Sequence, residues 1–175
     1  MNRITKITRK GIRGFTLVEM MLYVGISSLF LVTLALFFSF LLSSRVKNQT
    51  INEVNQQGLY VMDFITQSVR NARGVTVPTI GTASSTLSLT VASSTLSPVI
   101  FDVSNGVLRS KEGVGSYLPL TNGRVKVSEI VFQNVSASST DGGTVSVHFT
   151  LTYMSSSTQH EYVYSKTFTG GASFH

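Results

Sequence analysis

The sequence predicts an α+β fold: a long N-terminal helix, half apolar and half amphipathic, packed on an antiparallel β-sheet. Three observations predict it. Met20 to Leu42 is an unbroken uncharged run. Apolar residues then recur every three or four positions as far as Ala72, with no proline before Pro78. Beyond Gly74 the apolar period becomes two, the spacing of a strand with one buried face.

The chain begins with a basic leader. Arg3, Lys6, Arg9, Lys10 and Arg13 carry it without an acid, and the remainder holds nine basic against eight acidic residues. The formal net charge of +6 therefore belongs almost wholly to the leader. The apolar run that follows is 23 residues long, and about 20 suffice for a helix to cross a bilayer core. A secretory signal peptide fits poorly, because its apolar region spans roughly 7–15 residues and Glu19 stands at the start of this one. The asymmetry of positive charge, five before the run and Arg45 and Lys47 soon after it, places the N-terminus in the cytoplasm and the chain beyond Ser44 outside.

Val54, Gly58, Val61, Ile65, Val69 and Ala72 fall on one stripe of a helix. The expected helix runs from about Phe15 to Arg73, with Arg70 and Arg73 at the negative end of its dipole and Gly74 as its C-terminal cap. At 1.5 Å per residue it would be roughly 90 Å long, so part of it must lie in lipid or against partners. The expected organisation is a leader at 1–14, a membrane or filament-core helix at 15–44, and an extracytoplasmic domain at 45–175.

Thr144 to Tyr153 alternates strictly, with Val145, Val147, Phe149, Leu151 and Tyr153 on one face. Glu161 to Phe168 is its expected hairpin partner, with Tyr162, Tyr164 and Phe168 on one side across the polar break of Ser155 to Gln159. Further strands are expected at Thr86 to Val91, Val99 to Ser104, Val107 to Ser110 and Val125 to Val135. Asn105-Gly106 and Asn122-Gly123 signal tight turns. The repeated Ala-Ser-Ser-Thr-Leu-Ser of Ala83 to Ser88 and Ala92 to Ser97 is too short a series for a solenoid and suggests two similar strand edges. Ser136 to Gly143 and Thr169 to His175 are expected as loop and tail.

Composition narrows the chemistry. The absence of cysteine excludes disulfides, thiolate metal sites and cysteine nucleophiles. With 25 serines and 20 threonines against 13% charged residues, the polar surface is made of hydroxyls. His148 sits on the polar face of a strand, His160 opens another and His175 is terminal, so no metal or triad spacing arises. No phosphate loop or paired-carboxylate motif occurs. No enzyme, cofactor or metal is expected. Arg109, Lys111, Arg124 and Lys126 read first as solvated strand edges, and direct nucleic-acid binding is the lesser reading.

The most specific string is Lys10-Gly11-Ile12-Arg13-Gly14-Phe15-Thr16-Leu17-Val18-Glu19, joined directly to the apolar run. It resembles the class III signal of type IV pilins and type II secretion pseudopilins. The resemblance implies that prepilin peptidase cuts after Gly14, that Phe15 becomes the N-methylated first residue, and that Glu19 is the acid used in assembly. Glycine before the cut permits close backbone approach, and the leader charges hold that bond at the cytoplasmic face. An unpaired acid in the apolar layer costs about 2.5–3.5 kcal/mol, so Glu19 needs a partner such as the amine freed at Phe15. The plainer role for Glu19 is a helix N-terminal acid stabilised by the dipole.

The resemblance covers about the first 60 residues. Val61 to Gly74 followed by Ser104-Asn-Gly-Val-Leu-Arg109 further resembles J-type minor pseudopilins and W-type minor pilins. Many major pilins carry a proline in the membrane half of the helix and a C-terminal disulfide loop. This chain has neither, which counts against a major subunit. The implied partners are prepilin peptidase, other pilin or pseudopilin subunits and an inner-membrane assembly platform. Two other classes stand beside this one: a filament-tip module binding DNA, a secreted substrate or a surface through Val114 to Leu120 or Ser136 to Gly143, and a signal-anchored protein of different function.

Overall fold

A computed structural model describes residues 14–137, 142–154 and 163–175. Helix α1 spans Leu17–Arg70. Among the described residues nine strands follow: β1 (Ala72–Val77), β2 (Ala83–Ser84), β3 (Leu87–Val91), β4 (Val99–Ser104), β5 (Val107–Glu112), β6 (Leu118–Pro119), β7 (Val125–Asn134), β8 (Gly143–Tyr153) and β9 (Ser165–Phe174). The chain divides into two compact units, Met1–Ser44 and Arg45–His175. The arrangement is α+β.

In the first unit the helix surface is apolar and exposed along its length, long and apolar enough to cross a membrane. Two of its hydroxyls turn back onto their own helix. Ser28 Oγ donates to the Gly25 carbonyl at 2.9 Å, and Thr33 Oγ1 reaches the carbonyls of Leu29 and Phe30 at 3.0 and 2.8 Å. Such bonds satisfy polar groups without water, which a lipid environment demands.

In the second unit the stripe of α1 lies where its spacing put it. Val54, Val61, Ile65 and Val69 are fully buried and join one core with the inner faces of the strands. A single such side chain contributes about 1.5–3 kcal/mol when taken out of water. Phe64 of α1 meets Phe101 of β4 edge-on, ring centroids 6.0 Å apart. Phe168 of β9 stacks on Phe149 of β8 at 5.3 Å and occupies the space beside Gly58. Lys166 of β9 shares Phe168's face of the sheet and donates to Asn55 Oδ1 of α1 at 2.8 Å.

The strands form two antiparallel sheets, not one: a five-stranded sheet in the order β1-β3-β4-β5-β6 and a four-stranded sheet in the order β2-β7-β8-β9. The inner residues of both, including Leu87, Phe101 and Leu108 in the first and Phe132, Val147 and Leu151 in the second, belong to the same core. A bulge between Val127 and Glu129 places two exposed residues in succession on β7 and returns Ile130 and Phe132 to the inside. The outward face of β8 and β9 is a ladder of hydroxyl pairs: Thr144–Ser173, Thr150–Thr167 and Thr152–Ser165, at 2.8–3.0 Å.

Several sequence expectations are corrected. The helix ends at Arg70, so Gly74 is no cap and Arg73 lies outside the helix. Ala72 to Val77 instead pairs with β3, because the β-branched Val75-Thr76-Val77 suits an edge strand and Ala72 remains buried there. Asn105-Gly106 forms the β4–β5 hairpin with φ of 53° and 77°, as a type I′ turn requires. Asn122-Gly123 joins β6 to β7, which belong to different sheets, and Asn122 Oδ1 there accepts the Arg124 N–H at 3.0 Å.

The expected tail is a strand. Thr169 to Phe174 extends β9 against Gly143 to His148 and buries Ala172 and Phe174. Its Gly170 leaves room for the Met62 side chain. Of the two sequence repeats, Ala83–Ser88 enters β2 and β3, whereas Ala92–Ser97 forms a turn. In the expected Ser136–Gly143 loop, Ser136 is buried and its Oγ donates to Asn134 Oδ1 at 2.6 Å, while residues 138–141 lie outside the described residues. So do the polar break at Ser155–Gln159 and the expected strand start at Glu161 and Tyr162. Tyr164 packs partly buried against the core.

Candidate functional site

The junction that opens α1 is built from Gly14, Phe15, Thr16, Glu19 and Tyr23. Thr16 is the N-cap: its Oγ1 accepts the Glu19 N–H at 3.3 Å, and its carbonyl accepts the Met20 N–H at 3.1 Å. Thr16-Leu17-Val18-Glu19 therefore has the spacing of a capping box, but the Glu19 carboxylate engages elsewhere. The Tyr23 hydroxyl, one turn further on, donates to Glu19 Oε1 at 3.3 Å. The Tyr23 ring also meets Phe15 edge-on, 6.2 Å between centroids at 79°. Glu19 and Tyr23 thus share one face of the helix, and Phe15, just before the N-cap, reaches the same face through the Tyr23 ring.

Gly14 stands in open space. A Cβ there would meet nothing within 4 Å, and its φ is not in the left-handed region. The described structure sets no packing or backbone requirement for glycine at this position. Arg3, Lys6, Arg9, Lys10 and Arg13 lie outside the described residues.

Thr16 and Tyr23 were missed by the sequence reading. The threonine-x-x-glutamate spacing signals the first, and the four-residue step from Glu19 to Tyr23 signals the second.

The four basic residues singled out in the second unit do not form one patch. Arg109 makes two bonds to Asp102, at 2.6 and 2.9 Å, and its guanidinium lies 4.0 Å from the centre of the Tyr117 ring. Lys111 approaches the same ring at 5.5 Å. The hydrogen bonds that Arg109 donates to Asp102 hold the guanidinium pKa above its ordinary value. Arg124 instead faces Glu53 of α1 at 3.7 Å, and Lys126 packs its stem against Gly106. Tyr117 follows Arg109 by eight residues, and the β5–β6 pairing brings them together.

Val114 and Leu118 flank this cluster, both exposed. Among the described residues no group of three or more histidine, aspartate or glutamate side chains could hold a metal ion. His148 faces outward and meets Thr169 Oγ1 at 3.3 Å, and His160 lies outside the described residues.

Comparison with known proteins returns no family model, curated relative or solved structure that matches the chain.

Proposed function

We propose that the chain is a minor structural subunit of an extracytoplasmic filament: a type IV pilus, a type II secretion pseudopilus or a DNA-uptake filament. The observation that carries this reading is the junction itself. A glycine that the described structure does not require precedes Phe15, at the threshold of an exposed apolar helix, with an acid one turn inside. The resemblance to class III signals supplies the rest: prepilin peptidase removes residues 1–14, Phe15 is methylated, and the helix is stored in the cytoplasmic membrane with 45–175 outside. The α+β arrangement of the second unit, with the stripe of α1 buried against antiparallel sheets, supports the reading.

In this reading assembly exchanges lipid for neighbouring helices. Apolar surface is covered both before and after, so the hydrophobic gain is small and close packing with polar pairing drives the step. Glu19 supplies the polar partner for the amine of an incoming Phe15, and an assembly platform in the inner membrane delivers the subunit.

Intact-mass measurement tests the reading. Protein from cells with prepilin peptidase is expected to weigh as Phe15–His175 plus one methyl. Only uncleaved chain, or a cut beyond Leu42, would overturn it.

A tip-binding role is the second reading, favoured by the exposed Val114 and Leu118 beside the Arg109–Tyr117 stack. Salt-sensitive retention of the mature chain on DNA, lost in Lys111→Ala, would support it.

A further inference from the structure

A small cavity of about 280 Å³ opens between the end of α1 and the first sheet. Val91 and Val99 and the side of Leu96 give it apolar walls, Ser68 and Asn71 of the last helical turns give it a polar edge, and Glu112 stands at the end of β5. Its volume falls at the lower limit of pockets that enclose whole small molecules, roughly 300–1,000 Å³. One long side chain suits it better.

The walls are fixed by the backbone. The turn that carries Leu96 closes on itself through Leu96 N–H and Ser97 N–H to the Ser93 carbonyl, at 3.2 and 3.0 Å. Gly113 then clamps that turn to β5, its N–H donating to the carbonyls of Leu96 and Pro98 at 3.1 and 2.9 Å. The clamp needs glycine: φ is +51°, and a Cβ would collide with the Thr95 carbonyl.

Among the described residues that line the cavity, Glu112 is the charged one. Asp102 is paired with Arg109 and Glu53 with Asn122 and Arg124; Glu112, like Asp63 and Glu129, is exposed and pairs with no described side chain, but it alone of these three stands beside the cavity. An unpartnered carboxylate beside an apolar hollow selects a ligand with an apolar stem and a cationic tip, the form of lysine and arginine. The surroundings suit a polypeptide carrying such a residue between apolar neighbours, since Leu96 is 46% exposed and Val114, next to Gly113, is 100% exposed.

We propose that this cavity is a socket for a lysine or arginine side chain of a protein partner, with Glu112 as the counter-charge. The proposal is independent of the filament reading, and either can fail without the other.

The test is methyl-labelled nuclear magnetic resonance of the full chain in detergent, titrated with Nα-acetyl-lysine methylamide and with its norleucine analogue. The lysine compound is expected to shift the Val91, Leu96 and Val99 methyls. Its binding should exceed that of the norleucine compound about tenfold, a difference of ~1.4 kcal/mol. Glu112→Gln should abolish the difference while leaving methyl signals elsewhere unchanged, and Leu96→Ala should weaken both compounds.

If the same methyls shift with protein concentration alone and Glu112→Gln prevents it, the basic side chain belongs to a second copy, which also supports the socket. Equal binding of the two compounds, an unaffected Glu112→Gln, or no shift of these methyls by any compound would overturn the proposal.

Discussion

Phe168 lies against α1 at Gly58 so closely that any side chain there would enter its ring. The far edge of the ring seats the helix on β9 while the ring stacks on Phe149. Gly58→Ala sets two effects against each other. Alanine improves helix propensity by about 0.8–1 kcal/mol, and overpacking costs about 1–3 kcal/mol. Because that stacking holds the ring, the overpacking wins. The expected result is a net loss of about 1 kcal/mol in denaturant unfolding of the detergent-solubilised chain, recovered when Phe168→Leu is added.

Ile65 is fully buried between α1 and the sheets. Ile65→Asp would place a carboxylate there without a partner, and a loss of about 3 kcal/mol or more is expected. A thermal midpoint equal to that of the unaltered chain would remove Ile65 from the core.

Asn134 is a buried polar hub. Its amide donates to the Pro78 carbonyl at 3.0 Å, and its Oδ1 accepts from the Ser136 N–H and Oγ at 3.1 and 2.6 Å. Asn134→Ala strands these groups out of water, at about 1–3 kcal/mol. Hydrogen exchange is expected to quicken at Gly81 and Thr82, whose backbones pair with Asn134, more than at β4 and β5.

Glu19 separates a filament subunit from a simple anchor. A plain anchor is improved by removing an acid from its apolar run. In the filament reading, Glu19→Val is processed, folded and inserted but excluded from filaments. A buried ion pair contributes register more than net stability, since desolvation offsets its attraction. Fractionation into membrane pool and sheared filaments reads the outcome, and normal incorporation would leave the dipole role as the better account of Glu19.

How much of this was legible in the sequence depends on how local each signal is. Val99–Ser104 and the core of Thr144–Tyr153 could be read directly, because strict alternation and an Asn-Gly turn are properties of the segment itself. The end of α1 could not: Ala72 continues the helical stripe and is buried, yet it is held by Val91 across a strand pair. Gly170-Gly171 looks like loop until Met62 is placed beneath Gly170. The division into two sheets depends on which strands pair, and periodicity alone carries no such information. At the junction, Gly14, Phe15 and Glu19 were conspicuous by order, whereas Tyr23 was hidden among apolar neighbours and only the helical step brings its hydroxyl to Glu19.

Lys166 has a consequence for how such molecules can live side by side. Strand β9 is the outer strand of its sheet, and an open border of backbone N–H and C=O groups invites a strand from a neighbour. Lys166 stands on the helix-facing side of this strand, exposed, and donates to Asn55. A strand added alongside would have to lay its own inward residue next to that ammonium group, and an inward charge on an edge strand discourages such pairing. The border is thereby guarded against pairing with the edge of another sheet.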